Sequence, residues 1–548
     1  MKNTSYLQTC SVVFFSLITA LCFSIIFSRY LGEGLPVLDD SHIAISRFIS
    51  YHNAHVEGII LPRWSSVEQS GFGVPSFVFF YPLPHMLGSL LMFAGLNAQD
   101  AYKALVLFVV LASPACFFLW IRRHVSFHAA VVSSVIFGLC PSHVFNILVR
   151  GPIGEILATP LVPLLLLGVD RIVEQTTVKR VLGEGMLIGL LILTHVISTI
   201  MALPVVFGYA IVRLKTRSHS IAMLSSLIVG MGISAFFWIP GLLEKRFVLA
   251  DMRMMEALPN YLIPLQLIQH IIMVPWFMSA ENMHTIKTID GIIMVVLVTG
   301  LGMAFWKRKH RAMTGYWLTI IASSVFLMSS LSLLLWQTLP LLHLVHIPWR
   351  FMFIISFASA AVVAFVFDHI KSSAMIYVIG CLSIISFMSS MKVYGYVVTP
   401  YEYFETRQEI TFSFGEALPV WRNTAMDKPA SFPVDISSGN GAITGFVKTT
   451  HTHSFDIHAE TPVRIVDNTQ YFPGWHVFVD NHEVPMDFQD AQNYGLLVYD
   501  VPAGIHAVSV KFTDTPVRKA GVAITIISIA GVCMLVYKRR YAKTWFVS

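Results

Sequence analysis

Long apolar runs separated by short polar segments cover most of the chain. A helix needs about 20 predominantly apolar residues to cross a lipid bilayer, and most of these runs reach or approach that length. The pattern therefore predicts a polytopic membrane protein with about twelve transmembrane helices. The runs lie near residues 7–28, 102–121, 127–148, 156–172, 181–196, 198–213, 219–240, 289–306, 313–335, 349–368, 373–394 and 520–537.

The composition agrees with a membrane protein. Charged residues make up 12% of the chain and hydrophobic residues 55%, whereas a soluble domain carries about 25% charged residues. These values exclude the soluble, disordered, collagen-like and coiled-coil classes. The six cysteines, at positions 10, 22, 116, 140, 381 and 533, all lie in or beside apolar runs and form no CxxC pair. Neither a disulfide framework nor a zinc motif is indicated.

Basic residues predict the orientation of the chain. Because short cytoplasmic loops are enriched in Lys and Arg, twelve crossings with both termini in the cytoplasm place every basic cluster on the cytoplasmic side. We expect the first apolar run to remain as an uncleaved signal anchor. No cluster forms a broad basic face interleaved with aromatic residues, so no nucleic-acid partner is predicted. The clusters lie at 122–123, 171–180, 213–217, 307–311, 371 and 538–543.

A further apolar run, at 76–96, does not fit this count. Two prolines within residues 80–84 (FYPLP) favour an interfacial or half-inserted helix. A crossing here would also put some basic clusters on the wrong side of the membrane. We therefore predict that this run does not cross. The same parity places five segments outside the cytoplasm: 29–101, 149–155, 241–288, 336–350 and 395–519.

Residues 395–519 differ from the rest in being polar and strand-like. Alternation puts Val508, Val510 and Phe512 on one face of a strand, and residues 480–482 (DNH) separate two strand-like runs as a hairpin turn would. A compact β-sandwich is predicted. The predicted domains are 1–394, a transmembrane domain with functional external loops; 395–519, an extracytoplasmic β-rich domain; and 520–548, a final transmembrane helix with a basic cytoplasmic tail.

Two adjacent acids, Asp39 and Asp40, follow the first apolar run. At the membrane–water boundary a carboxylate could deprotonate a hydroxyl group or hold a metal ion. The alternative is a solvated loop in which Asp40 or Ser41 caps the following helix. The spacing alone leaves both interpretations open.

Other candidate residues lie in the predicted external segments or at outer helix ends. An arginine at the outer mouth of a helix is costly unless it is paired, and its guanidinium matches phosphate oxygens bidentately. A salt bridge at the rim, or a hydrogen-bonded polar residue, is the alternative. The spacing of His343 and His346 is only a weak signal for metal ligands. No cofactor is therefore predicted, and the need for a divalent metal stays open. These candidates are His42, Arg63, Arg150, Glu155, His195, Glu244, His346 and Arg350.

Several motifs resemble a known family. Asp39-Asp40 with residues 62–64 (PRW), 71–75 (GFGVP) and 80–84 (FYPLP) resembles the bacterial membrane proteins named 6-pyruvoyl-tetrahydropterin-synthase-related. Residues 150–155 (RGPIGE) and Thr194-His195 resemble later motifs of those proteins. Residues 471–475 (YFPGW) and 501–506 (VPAGIH) are similar to the YfhO-like family.

Both groups resemble GT-C glycosyltransferases, in which an acidic pair follows the first transmembrane helix. The resemblance implies a GT-C-like transmembrane domain and transfer of a sugar from a polyprenyl-phosphate donor to a cell-envelope glycan or lipid acceptor. Asp39 and Asp40 match the acidic pair, with Asp-Asp in place of the commoner Asp-Glu. The implied location is the bacterial inner membrane, in contact with its lipids and with an extracytoplasmic active site.

Two other classes compete with the enzyme. Acids and arginines near a membrane also mark transport pathways, so a transporter or flippase of a lipid-linked glycan is the main alternative. Against it, the charges gather on one side rather than at mid-helix. A glycan-binding scaffold is the third class, and it would leave Asp39 and Asp40 dispensable.

Overall fold

The computed structural model describes residues 2–32, 34–36, 38–249, 262, 310–345, 347–389, 396–397, 417–422, 426 and 428–542. The predicted crossing at 289–306 and the candidate residue His346 lie outside these residues.

The first half of the chain is helical. Side-chain caps define where several helices begin: Asn97, Thr177 and Thr216 each accept a hydrogen bond from a backbone N–H of the first turn that follows, a group that the helix itself leaves without a partner. The helices are α1 (Lys2–Leu31), α2 (Ser41–Val56), α3 (Ser76–Phe79), α4 (Pro82–Phe93), α5 (Ala98–Ile121), α6 (Phe127–Gly138), α7 (Pro141–Phe145), α8 (Ile153–Ala158), α9 (Leu161–Glu174), α10 (Val178–Thr194), α11 (Val196–Arg213), α12 (Arg217–Ile233) and α13 (Ala235–Leu243), with a π-helical turn at Asn146–Arg150.

The described part of the second half adds further helices and, ahead of the last helix, a set of strands. The helices are α14 (Arg311–Met328), α15 (Leu333–Thr338), α16 (Pro340–His343), α17 (Met352–Phe367), α18 (Ser373–Ser389) and α19 (Pro516–Ala542). Short 3-10 turns lie at Lys245–Phe247, after α13, and at Ser330–Ser332 and Pro348–Phe351, ahead of α15 and α17.

Twelve crossings are not confirmed. A bend of 76° separates α12 from α13, and α10 and α18 have 17 residues each, which is at the lower limit of about 17 residues for a crossing. Within the described residues, seven stretches are long and apolar enough to cross a membrane, or eight if the bent pair is one span. The seven are Leu7–Leu31, Ala98–Ile121, Phe127–Arg150, Ile153–Glu174, Val196–Arg213, Pro348–Phe367 and Pro516–Tyr537.

Helix α5 defines two faces of the helical region. Near its start, Nζ of Lys103 donates to the carbonyl of Gly32 at 3.0 Å, which places this end beside the loop after α1. Its 24 residues correspond to about 36 Å and lead to Arg122 and Arg123 at the other end. We call the end that carries Gly32 and Asp40 the first-loop face, and the end that carries Arg122 and Arg123 the basic face.

The apolar run at 76–96 forms two short helices. With 12 residues, α4 is about 18 Å long, too short for a hydrocarbon core of about 30 Å. It packs closely against α2, because a Cβ on Gly88 would lie 2.5 Å from the ring of Phe48. This geometry matches an interfacial helix rather than a crossing.

Cysteine labelling tests this interpretation. In a background without the six natural cysteines, Ile60→Cys and Ala94→Cys, both at exposed positions, should react equally with a membrane-impermeant thiol reagent, because α3 and α4 return the chain to the same side. Ser218→Cys, an exposed position at the opposite end of the helices, is the control and should react only after the membrane is opened. If Ala94→Cys, like Ser218→Cys, reacted only after the membrane is opened, the segment 76–96 would cross the membrane.

The C-terminal strands form two packed antiparallel sheets. The five-stranded sheet has the order β4-β5-β10-β7-β8 and the three-stranded sheet the order β3-β6-β9. A two-residue pair, β1 (Leu35–Pro36) with β2 (Tyr396–Val397), joins the first loop to the segment ahead of these sheets. The strands are β3 (Val434–Ser438), β4 (Gly441–Lys448), β5 (Thr452–Ala459), β6 (Val463–Gln470), β7 (Trp475–Val479), β8 (His482–Val484), β9 (Leu496–Val501) and β10 (Gly504–Phe512).

The alternation predicted for β10 and the predicted hairpin turn are confirmed. Val508, Val510 and Phe512 are buried in the core between the two sheets. Val479 pairs with His482, and the intervening Asp480 and Asn481 have φ values of 48° and 63°, as a two-residue type I′ turn requires.

The β-region packs on the first loop. Trp64 belongs to the core between the sheets, with its ring 5.3 Å from that of Trp475. At the end of α2, the carboxylate of Glu57 accepts hydrogen bonds from the backbone N–H of Thr450, at 3.1 and 3.0 Å. Helix α2 thus runs from Asp40 at its start to a contact with the β-region at its end.

Candidate functional site

The acidic pair lies between α1 and α2, against the π-helical turn. The backbone N–H of Asp39 donates to the carbonyl of Val149 at 3.1 Å, and that of Asp40 to the carbonyl of Arg150 at 2.7 Å. Asp40 occupies the N-cap position of α2, but its side chain makes no capping hydrogen bond. Its carboxylate instead lies 3.8 Å from Nη2 of Arg150. The capping alternative therefore does not describe this residue.

Glu155 joins two arginines beside the acidic pair. Nη1 of Arg150 donates to Oε2 of Glu155 at 2.6 Å and to Oδ1 of Asn146 at 2.9 Å. Nε of Arg350 lies 3.0 Å from the other carboxylate oxygen, Oε1. One carboxylate thus orients two guanidinium groups that come from segments 200 residues apart in the chain.

A glycine makes this arrangement possible. The π-helical turn ends at Gly151, whose φ of 75° lies in the left-handed region that residues with a side chain rarely adopt. A Cβ there would lie 2.8 Å from the hydroxyl of Tyr102, and that hydroxyl donates to the Gly151 carbonyl at 2.9 Å. Arg150 and Glu155 lie before and after Gly151 in the chain, and the close contact between Gly151 and Tyr102 fixes the turn that joins them.

Charge and partial burial act together on the acidic pair. Burial raises the pKa of Asp39, and the adjacent Asp40 charge raises it further, against a lowering by Arg150. Burial also raises the pKa of Asp40. The positive charge of Arg150 lowers this pKa, and the negative charge of Glu155 raises it. Three carboxylates face two guanidinium groups, so the ionised cluster carries one excess negative charge. Protonation of the acidic pair is easier here than in water.

His195 and Tyr81 lie close to the cluster. The His195 ring is 4.9 Å from that of Tyr81, and its Nδ1 accepts a hydrogen bond from the backbone N–H of Ser198 at 3.1 Å. Nδ1 therefore carries no proton, and in the neutral ring the proton is on Nε2. Burial raises the pKa of Tyr81 to about 12, so its phenol stays protonated at neutral pH. Tyr81 belongs to the FYPLP segment, in which no local sequence signal predicts a role for it.

Trp349 and His42 complete the surroundings. The guanidinium carbon of Arg150 lies 4.5 Å from the centre of the Trp349 ring, within cation–π distance. His42 lies in the first turn of α2, and its charge lowers the pKa of Asp40. Asp39, Asp40, His42, Arg150, Glu155, His195 and Arg350 are therefore brought to one place on the first-loop face.

Arg63 and Glu244 lie in a different charged network. Nε of Arg63 is 3.6 Å from the carboxylate of Asp514, and Nε of Arg518 donates to Oε2 of Glu244 at 2.9 Å. This network joins the first loop and the end of α13 to the start of α19. Arg518 was missed from the sequence because it precedes the last apolar run, where a basic residue is ordinary.

Removal of one charge from this network should destabilise the protein. The side chain of Arg518 is fully buried, so Glu244→Gln removes the carboxylate that pairs with it, at a cost of about 3–5 kcal/mol. Glu174→Gln is the matched control, because Glu174 pairs with Arg123 on the surface with 48% of its side chain exposed, and such pairs contribute about 1 kcal/mol or less. The free energy of unfolding in detergent measures both. Equal values would mean that the buried pair contributes no more than the surface pair.

No metal grouping is found at the acidic pair within the described residues. The one group of three His, Cys, Asp or Glu side chains close enough to share an ion, among those described, is His310, Asp368 and His369, on the basic face. Metal dependence of the candidate site stays an open prediction.

The fold and this cluster define a multi-pass membrane protein, mostly helical, with a C-terminal β-sheet region and a charged site on one face. The chain belongs to the family of membrane proteins described by the 6-pyruvoyl-tetrahydropterin synthase related domain, whose model matches residues 77–395. The predicted family is thus confirmed. The match includes Arg150, Glu155, His195 and Arg350, and it begins after Asp39 and Asp40.

Solved structures give weaker similarity. The arabinofuranosyltransferase AftD from mycobacteria superimposes with a TM-score of 0.48 at 13% identity, over 69% of this chain and 26% of that chain. A mutant of the same protein gives a TM-score of 0.45 at 15% identity, over 69% and 27%. This chain thus corresponds to about a quarter of AftD, and scores at this level do not establish a shared fold. No curated protein matches the sequence.

Proposed function

We propose that this protein is an inverting GT-C-type glycosyltransferase that moves a sugar from a polyprenyl-phosphate donor to a cell-envelope glycan or lipid acceptor. The observation that carries the proposal is the convergence of Asp39 and Asp40 with Arg150, Glu155 and Arg350 on one face. A carboxylate base and phosphate-binding guanidinium groups are what this transfer requires. The resemblance of the first loop to GT-C enzymes adds support. The site would face the extracytoplasmic side of the bacterial inner membrane, with both termini in the cytoplasm.

Asp39 is the proposed general base. Asp39 is an exposed residue, whereas the Asp40 carboxylate lies 3.8 Å from Nη2 of Arg150. In the proposed step, Asp39 takes the proton of the acceptor hydroxyl while the acceptor oxygen forms a bond to the anomeric carbon. The bond between that carbon and the phosphate oxygen breaks, and the polyprenyl phosphate leaves with the electron pair. A base with a raised pKa accepts the proton more readily.

Arg350 and Arg150 are proposed to stabilise the departing phosphate. Charge develops on the phosphate oxygen as the bond breaks, and donors that are already oriented stabilise it without reorganisation. Glu155 supplies this orientation, because it holds both guanidinium groups. Glu155 is therefore a positioning residue in this proposal. The partly exposed side chain of Arg350 is the one that a phosphate would reach from the loop.

The pH dependence of transfer should reflect the acidic pair. A general base acts in its deprotonated form, so activity is lost as the pH falls through its pKa. Because burial and the Asp40 charge raise the pKa of Asp39, we expect the acidic limb of kcat/KM to lie above pH 3.9, about the ordinary value for aspartate. Initial rates of transfer across pH give this limb. A limb at or below that value would contradict the role of Asp39.

Direct transfer by purified protein tests the function. Protein in detergent or liposomes is supplied with a polyprenyl phosphate that carries a radiolabelled sugar, together with envelope glycan or lipid acceptors. The expected result is labelled product with the anomeric configuration inverted, and none from the Asp39→Asn/Asp40→Asn double variant. Movement of intact labelled lipid across the liposome bilayer, without transfer, would instead indicate a flippase.

A further inference from the structure

Two histidines and an aspartate meet on the basic face, far from the candidate active site. His310 precedes the first residue of α14, and Asp368 and His369 follow the last residue of α17. One nitrogen of each histidine and one Asp368 oxygen all lie within 4.8 Å of one another. The proposed transfer reaction uses none of these residues.

The group is positioned by three helices. Nε2 of His310 lies 3.0 Å from Oδ2 of Asp368, and Oδ1 of Asp368 accepts a hydrogen bond at 2.7 Å from the backbone N–H of Ser126, the N-cap residue of α6. The rings of His310 and His369 are 5.5 Å apart. The side chains of His310 and Asp368 are only 11% and 5% exposed. A backbone donor thus fixes one carboxylate oxygen while the other faces the histidines.

This donor set matches a particular class of metal. Imidazole nitrogens suit Zn²⁺ and similar transition metals, whereas Mg²⁺ and Ca²⁺ prefer oxygen ligands. Ligand bonds of about 2.0–2.1 Å put neighbouring ligand atoms of a tetrahedral site about 3.3 Å apart, so small side-chain rotations close the group around an ion. A hydrogen bond to a ligating carboxylate is the usual outer-shell support.

We propose that His310, Asp368 and His369 bind a transition-metal ion of the Zn²⁺ type, with water as a fourth ligand. The ion ties the start of α14 to the end of α17, and Asp368 extends this link to the start of α6. By the predicted topology, the site faces the cytoplasm.

The chain contains its own control for a simple His–Asp contact. On the same face, Nε2 of His124 lies 2.7 Å from Oδ2 of Asp170, and the other oxygen of Asp170 is 2.9 Å from Nε of Arg213. Asp170 is thus paired with one histidine and one arginine, whereas Asp368 in the proposed metal site lies beside two histidines. His124→Gln should therefore leave metal binding unchanged.

Metal content and cobalt spectra test the proposal. The full chain is purified with an affinity tag that contains no histidine, and zinc is measured by mass spectrometry. We expect about one zinc per chain in the wild type and in His124→Gln, and visible absorption typical of tetrahedral Co²⁺ after EDTA treatment and cobalt addition. His369→Gln should weaken binding by more than the about 10–100-fold that loss of an outer-shell partner costs. It leaves the Asp368–Ser126 contact intact.

Two results would overturn the site. The first is equal zinc affinity of the wild type and His369→Gln, and the second is cobalt-loaded wild type without tetrahedral absorption. If His369→Gln does not fold, the cobalt titration of the wild type decides the question, and His310→Asn replaces His369→Gln as the variant that should lose metal affinity. Zinc should also raise the Tm of the wild type, which a simple ion pair would not predict.

Discussion

Replacement of Asp39 by asparagine should lower sugar transfer by about 100-fold or more, the usual contribution of a general base. The asparagine amide has the same shape as the carboxylate, but it does not take up the proton of the acceptor hydroxyl. Because Asp39 is exposed, the substitution should change the free energy of unfolding by no more than about 0.5 kcal/mol. Transfer rates at saturating donor, together with an unfolding curve for each variant, separate loss of chemistry from loss of structure.

Asp40→Asn distinguishes the two carboxylates. Since the Asp40 charge raises the pKa of Asp39, its removal should move the acidic limb of the pH profile to lower pH while activity is retained above that limb. Asp100→Asn, at a half-exposed acid near the first-loop face, should be neutral. A large loss in Asp40→Asn alone would exchange the roles of the two aspartates. Full activity of both single variants would exclude a carboxylate base and favour the transport or scaffold interpretation.

Arg350→Lys should reduce transfer by about 100-fold, the lower end of what loss of one transition-state donor costs. Lysine keeps the positive charge but loses the planar fork that matches a phosphate. It also loses the geometry in which Nε faces Glu155 at 3.0 Å while Nη1 donates to the carbonyl of Val345 at 2.9 Å. The measurement is kcat and KM for the polyprenyl-phosphate donor.

Arg246→Lys is the matched control, because Arg246 is exposed and its guanidinium stacks on Phe247 at 4.7 Å, outside the cluster. It should transfer sugar at the wild-type rate. If Arg350→Lys also kept full activity, Arg350 would be a structural rim charge, and the phosphate would have to be bound by other residues.

Several residues of the candidate cluster could be selected from the sequence because they follow simple rules. Charge bias between apolar runs placed Asp39, Arg150 and Arg350 on one side of the membrane, and the structure brings Asp40 within ion-pair distance of Arg150. Alternation of apolar residues identified β10, and the asparagine-containing turn identified the hairpin. In each case the signal is local, or depends only on which side of the membrane a loop lies.

Other features depend on tertiary contacts that no local pattern reveals. Arg63 and Glu244 share the predicted side with Asp39, but their ion pairs with Asp514 and Arg518 draw them into a separate network. The bend of 76° between α12 and α13 is likewise invisible to hydropathy, which predicts a single apolar run at 219–240. The role of Glu155 as a bridge between two arginines also depends on the fold, since Arg350 is distant in sequence.

A structure of the protein with bound polyprenyl phosphate tests the central claim most directly. Cryo-electron microscopy in lipid nanodiscs, with the lipid phosphate added, should show the phosphate within hydrogen-bond distance of Arg350 or Arg150 and the exposed Asp39 carboxylate facing the adjacent acceptor space. A phosphate bound on the basic face, or bound on the first-loop face away from both arginines, would contradict the proposed active site.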